Sequence, residues 1–296
     1  VYDNFSSGRH WHIEDLHSDS RFNVVRGDVK DLELLTSSMR HHDVVIHLAS
    51  NPDIAAAAAN PPIDFWEGTY LTQNVVEAMR VTATKTILYA SGSGIYGDLG
   101  NYEIPEDHGP LIPVSTYGAS KLAGEALISS YCHMFGLTGR CFRFGNVVGP
   151  SQTHGVGYDF ICRLTADPSQ LRILGNGQQT KSYIHVDDII NAVLHSYSCE
   201  TKRFQVYNVA TGDYITVNRI AELAAEALNL DFTTIQLNYT GGDRGWLGDV
   251  PIVRLDTKRI QDLGWKCRRN CEEAISASVR AIATQVKNGL IPIPHS

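Results

Sequence analysis

Asp43-Val44-Val45-Ile46-His47-Leu48-Ala49-Ser50 is apolar enough to be buried on both faces, as a strand of a parallel sheet is. Working outward, the spacing predicts a helix around Leu32 to Met39 before it. A second helix is expected through Phe65 to Arg80 after it, with Leu71, Val75, Ala78 and Met79 at core spacing. Thr86-Ile87-Leu88-Tyr89-Ala90-Ser91 reads as another buried strand, and Phe22 to Val29 as a shorter one ending in Gly27-Asp28. Strands alternating with helical patterns of this length indicate right-handed βαβ units, hence an α/β fold on a parallel sheet. Asp53 to Pro62, with five consecutive alanines and two prolines, reads as a loop or frayed helix start.

Composition bounds what such a fold can serve. A chain of 296 residues with 43% hydrophobic content can bury one large core or two closely joined ones. No apolar run approaches the roughly 20 residues of a membrane helix, so the expectation is a cytoplasmic protein with no membrane partner. A net charge of −7 disfavours a broad nucleic-acid surface, although an anionic small molecule can still find local positive charge. The six cysteines, at 132, 141, 162, 199, 267 and 271, form no C-x-x-C pair, and no metal site is expected. Cys132, Cys141 and Cys162 fit core packing.

Ser115-Thr116-Tyr117-Gly118-Ala119-Ser120-Lys121 carries the chemistry. Tyr117 and Lys121 stand four residues apart at the start of an apolar-periodic run through Leu122, Ala126, Leu127, Tyr131 and Phe135, so both belong on one helix face. An ammonium beside a phenol favours the phenolate, and the expectation is a tyrosine pKa below its usual value of about 10. Four-residue spacing alone is equally the mark of a surface helix whose Tyr and Lys meet nothing, so the neighbouring motifs decide. At the chain's start, Val1-Tyr2-Asp3 reads as a strand end bearing an acid. In a doubly wound nucleotide fold, an acid there accepts hydrogen bonds from the adenosine ribose and repels a 2′-phosphate, which points to NAD; an ordinary Asp-Asn turn is the plainer reading. Later segments read as a strand from Arg140 to Pro150, helices at 158–164 and 187–197, a strand at 171–174 and another at 204–209. A helix at 216–228 has Thr216 or Asn218 as its cap.

Taken in order, these motifs resemble the extended short-chain dehydrogenase/reductases, and among them the nucleotide-sugar epimerases typified by UDP-glucose 4-epimerase. Asp3-Asn4, Gly27-Asp28-Val29, His47-Leu48-Ala49, Ser91 to Gly97, Tyr117 with Lys121, Arg143 to Pro150 and Lys181 to Asp188 carry the resemblance over nearly the whole chain. It implies a Rossmann-type doubly wound parallel sheet with a smaller C-terminal α/β domain for the substrate. Residues 1–150 would form the NAD-binding domain and 151–296 the nucleotide-sugar domain, with 204–209 returning to the main sheet. The opening strand, G-x-x-G-x-x-G turn and helix of the family, which cradle the cofactor pyrophosphate, are absent from these 296 residues. The expectation is a missing segment of roughly 25 to 30 residues, about one βα unit.

By the same resemblance, NAD is a retained cofactor, contacted by Asp3, Asn4, Asp28, Val29, Leu48, Ala49, Tyr117 and Lys121. Tyr117 would remove the proton of a sugar 4-hydroxyl, and Lys121 would bond the nicotinamide ribose. The partner hydroxyl is Ser91 or Ser93, because Gly92 occupies the usual Ser/Thr position; Ser93 is preferred of the two. Related 4,6-dehydratases carry an Asp-Glu pair where this chain has Ser93 and Gly94, which removes the acid that dehydration needs. For a nucleotide sugar, expected to be UDP-linked, Asn146 matches the diphosphate contact. Arg172 and Ile173 match the backbone that meets the base, and Lys181 and Arg244 are the cations for phosphate. Lys181 is usually Arg in the family, and Arg244 beside Gly241 and Gly242 also reads as a solvated loop residue. His154 reads equally as a sugar contact or a loop closure. The implied activity is C4 epimerisation of a UDP-hexose or UDP-hexuronate by a homodimer. A UDP-glucuronate decarboxylase and a 4-keto-sugar reductase are the rival enzymes. A non-catalytic nucleotide-sensing protein is the rival of another class, and its signature would be a lost Tyr or Lys.

Overall fold

In the computed structural model, residues 1–242, 250, 252–291 and 293 are described. β1 (Tyr2–Asp3) pairs in parallel with β2 (Val25–Arg26). The strand expected over Phe22 to Val29 is cut short because the Asp28 carboxylate accepts from Lys30 N at 2.9 Å, turning the chain. Helix α1 (Leu32–Met39) follows, with Asp31 as its cap, accepting from Leu34 N. β3 (Val44–His47) then pairs in parallel with β4 (Thr86–Gly92), from Val44 opposite Thr86 to His47 opposite Tyr89.

The helix expected from Phe65 begins as a π-helical turn, Phe65–Thr69, and continues as α2 (Tyr70–Thr82), ending at Ala83 with φ +61°. The alanine run forms a 3-10 turn, Ile54–Ala58, that goes no further, since Pro61 and Pro62 cannot extend a helix. α3 (Thr116–Phe135) runs from the Ser115 cap to Gly136, whose φ of +71° ends it. β6 (Thr138–Phe144) and β11 (Phe204–Val209) complete a four-stranded sheet in the order β11-β6-β4-β3. Met79, Ile87 and Ile128, from α2, β4 and α3, are fully buried in its core. Each contributes roughly 1.5–3 kcal/mol. β3 departs from the expectation of two-sided burial: Ile46 is 54% exposed, and Leu48, just past its end, 66%. It ends the strand order, so its residues have a strand neighbour on one side only among the described residues.

These elements form the first of two compact units: Val1–Gly97, Pro110–Arg143 and Cys199–Tyr207. The second comprises Asp98–Gly109, Phe144–Ser198 and Asn208–Ser296. Within it, β5 (Glu103–Ile104) pairs with β14 (Arg254–Leu255), β7 (Asn146–Val148) with β10 (Tyr183–His185), and β8 (Gln170–Ile173) with β13 (Gln236–Tyr239), all in parallel. β9 (Thr180–Lys181) pairs antiparallel with β12 (Ile215–Thr216). Helices α4 (Val156–Ala166), α5 (Val186–Cys199), α6 (Val217–Ala227), α7 (Lys258–Asp262) and α8 (Cys271–Lys287) complete the unit, with α6 packed on α4 and α8. Thr216 caps α6, accepting from Arg219 N at 3.1 Å, and Asn270 with Glu273 forms a reciprocal cap on α8. No helix among the described residues is long and apolar enough to cross a membrane.

Candidate active site

The first turn of α3 is pressed onto the 3-10 turn Ser93–Tyr96 that follows β4. A Cβ on Gly118 would lie 2.4 Å from the carbonyl oxygen of Gly94, so only glycine allows this approach. The same contact places Gly92 against Tyr117, whose ring stands 4.0 Å from where a Gly92 Cβ would be. Tyr117 is half-buried and Lys121 is 4% exposed. The Lys121 ammonium lies between two rings, 5.4 Å from the Tyr117 centroid and 5.2 Å from that of Tyr89, and donates to Ala90 O at 2.8 Å.

This geometry overturns the expected direction of the tyrosine shift. Burial, and then the Asp64 carboxylate, push the Tyr117 phenol up to about 12, against a hydrogen bond with Ser50 that lowers it. Burial pulls Lys121 down to about 8, with Asp64 opposing. Lys121 donates to a backbone carbonyl, and burial is the largest influence on the phenol. His47, 3% exposed and bonded to Thr72 at 3.1 Å, is held neutral: burial, then the Lys121 charge, lower it to about 3.

Two carboxylates missing from the sequence-based set of site residues flank the pair. Asp64 accepts from Thr116 Oγ1 at 2.6 Å and from Asn51 Nδ2 at 2.9 Å. Glu125 is gripped by Arg143, with Nε to Oε1 at 3.0 Å and a second guanidinium nitrogen to Oε2 at 2.7 Å; Arg143 also donates to Tyr96 OH at 2.7 Å. Ser91 Oγ donates to Glu125 Oε1 at 2.6 Å, while Ser93 makes no side-chain hydrogen bond among the described residues. Glu125 had a visible signal, since it falls four residues after Lys121 on the same helix face. Asp64 had none, because only folding brings it to Thr116.

Asp3, Asn4 and Asp28 converge: Asn4 Nδ2 donates to Asp28 Oδ2 at 3.2 Å, and Asp3 Oδ1 accepts from Phe5 N at 2.6 Å. Burial raises the Asp28 carboxyl, but hydrogen bonds from Lys30 N and Asn4, with the Lys30 charge, bring it net below its ordinary value. The Val29 carbonyl accepts from Asn74 at 3.0 Å, and Leu48 and Ala49 are exposed just beyond β3. Asp3 Oδ2 has no partner among the described residues, and a Cβ on Gly8 would stand 3.2 Å from Asp3 Oδ1. Lys121 has three N–H groups and one acceptor. A spare acceptor where the ribose acid is expected and spare donors beside the Tyr/Lys pair are what NAD needs, and the residues fit that group. Among the described residues no three His, Cys, Asp or Glu side chains gather to hold a metal.

In the second unit, Asn146 is exposed and donates to Ser182 O at 3.1 Å, which joins it to the backbone just after Lys181. Arg172 is exposed and Ile173 fully buried; their carbonyls each accept one bond, from Arg163 at 2.7 Å and Thr240 N at 3.0 Å. His154 is exposed just before α4. Arg244 lies outside the described residues.

A phenol and an ammonium stand one helical turn apart beside the carboxyl end of a parallel strand, the arrangement that the resemblance to the extended short-chain dehydrogenase/reductases implies. The sequence profile of the NAD dependent epimerase/dehydratase family matches residues 1–210, and the chain belongs to that family of NAD-dependent enzymes. The UDP-glucose 4-epimerase of Mycolicibacterium smegmatis is 28% identical over 285 residues, 94% of this chain and 88% of that protein. A crystal structure of UDP-galactose 4-epimerase is 32% identical with a TM-score of 0.85, covering 97% of this chain and 90% of that one. The Thermus thermophilus UDP-glucose 4-epimerase, solved in complex with NAD, is 25% identical with a TM-score of 0.82, covering 95% and 90%.

Proposed function

We propose that the chain is a nucleotide-sugar 4-epimerase, acting on a UDP-linked hexose or hexuronate. The observation that carries this reading is the turn packed on the first turn of α3, where Ser93 and Gly94 bring no carboxylic acid. Without an acid to protonate a leaving hydroxyl, oxidation at C4 has no elimination to feed, which leaves reversal, with loss of carbon dioxide from a hexuronate or net reduction of a 4-keto sugar as the rival outcomes. Likeness to the two UDP-glucose 4-epimerases and to the UDP-galactose 4-epimerase supports it.

Bound NAD supplies the acceptor, and then the donor, of the C4 hydride. Asp3, with Asn4, Asp28, Val29, Leu48 and Ala49, serves the adenosine side, and Lys121 the nicotinamide ribose. Tyr117 takes the 4-hydroxyl proton and later returns it. At a pKa of about 12 the phenol rests protonated at neutral pH, so the phenolate is the minority form, and each positive charge brought to the site raises its share. Ser93 is the hydroxyl that bonds the sugar oxygen, because Ser91 is committed to Glu125. For the nucleotide the reading keeps Asn146, Lys181, Arg172, Ile173, Arg244 and His154. It also keeps a cytoplasmic homodimer through α2 and α3, whose far ends expose Val81 and Met134 at 55% and 73%.

Incubating the NAD-bearing protein with UDP-glucose and with UDP-glucuronate, without added NADH, tests the reaction. The expected product is an isomer of equal mass from one of them. Release of carbon dioxide or water, or no change in either, sinks the reading.

A further inference from the structure

Asp64 sits at the entry to the π-helical turn, 2% exposed, with one oxygen on Thr116 and the other on Asn51. Both donors are neutral, and no Arg, Lys or His forms an ion pair with it among the described residues. A buried carboxylate without a cation is unfavourable unless the surrounding field compensates it. Thr116 is the first residue of α3, directly before Tyr117, so the carboxylate holds the turn that presents the phenol.

We propose that Asp64 is a positioning residue for the Tyr117/Lys121 pair: it anchors the first turn of α3 and supplies the negative charge that keeps the buried lysine an ammonium while opposing the neighbouring phenolate. The proposal rests on Tyr117 being the proton carrier. Other charged groups around α3 are balanced or remote. Glu125 is paired with Arg143, which also holds Tyr96; Glu67 contacts Lys30; Glu77 pairs with Arg80 and accepts from Tyr131. From β3, His47 is neutral; from β4, Tyr89 is pushed far up by burial; from β6, Cys141 is pushed up likewise. Asp53 caps the alanine turn at the surface. A carboxylate charge acts on both groups in one sense, opposing the Tyr117 phenolate and favouring the Lys121 ammonium. Removing the charge must therefore make both groups more acidic together, which lost packing would not do selectively.

The test is an NMR titration of the NAD-bearing protein labelled at lysine side chains and tyrosine Cζ, with Lys121→Met and Tyr117→Phe assigning the signals. Asp64→Asn is expected to make Lys121 about tenfold more acidic, the size of one close opposite charge, with Tyr117 moving the same way. Asp64→Glu, which keeps the charge, should titrate as the native chain does. Unmoved signals in Asp64→Asn, or equal movement in Asp64→Glu, overturn the proposal. If the Asn variant does not fold, Asp64→Ser removes the same charge in a smaller side chain and is judged by the same shifts. The titration reads no product, so a failed epimerisation assay defeats the reaction assigned above and leaves this result to stand or fall alone.

Discussion

Two buried carboxylates in one unit, Glu125 and Asp64, show how the same side-chain chemistry serves opposite ends. Glu125 meets the guanidinium of Arg143 through both oxygens, at 3.0 and 2.7 Å, and Ser91 adds a third bond. Burial lowers the Arg143 pKa, but the bonds and charge of Glu125, with Tyr96, raise it net above its ordinary value. Among the described residues Asp64 has neutral donors only, and its charge is felt by the phenol and the ammonium instead. The first cluster is electrically closed and ties α3 to β4 and β6; the second is left open beside the group that must change protonation. Rigidity and reactivity are thus divided between two clusters that meet α3 at Glu125 and at Thr116.

Breaking the reactive side has the largest expected effect. Tyr117→Phe removes the proton carrier and is expected to lower kcat by roughly a hundred- to ten-thousand-fold while substrate affinity stays nearly unchanged. Steady-state kinetics with a binding titration checks it, and undiminished turnover ends the role given to Tyr117. The closed cluster should respond in stability instead. Arg143→Met strands a buried carboxylate and is expected to cost about 3–5 kcal/mol in urea unfolding. Adding Glu125→Gln should recover much of that loss, since the pair is then replaced as a whole. A double variant no more stable than the single one would show that Glu125 and Arg143 do not act as a pair.

How much of this was legible in the sequence follows from distance along the chain. The Tyr117/Lys121 spacing, the strand at 204–209 and the α3 run are local patterns, and each lies where its periodicity puts it. β3 was legible as a strand, but its exposure was not, because burial depends on which strands lie beside it. The direction of the tyrosine pKa is hidden from the sequence for a similar reason. Spacing places Lys121 near Tyr117, but it does not show that the ammonium turns to Ala90 O, or that Asp64, 53 positions before Tyr117, stands by the phenol. Nor could the turn Ser91 to Gly94 reveal which serine is free until β4 and α3 were packed.

That choice gives the smallest and finest test of the comparison, because two serines two residues apart fall on its two sides. Ser91 Oγ donates to the buried Glu125 carboxylate at 2.6 Å, so Ser91→Ala removes a bond to a charged group and should cost about 1.5–3 kcal/mol of stability with kcat nearly retained. Ser93 has no side-chain bond to lose among the described residues and stands on the turn packed against the first turn of α3. Ser93→Ala should leave stability within about 0.5 kcal/mol and lower kcat by about tenfold, the loss of one hydrogen bond of about 1.4 kcal/mol in the transition state. Urea unfolding and turnover measured on both variants separate the two effects. If Ser91→Ala lost turnover while Ser93→Ala kept it, the Glu125 cluster would reach the reacting oxygen, and the division between a closed and an open cluster would fail.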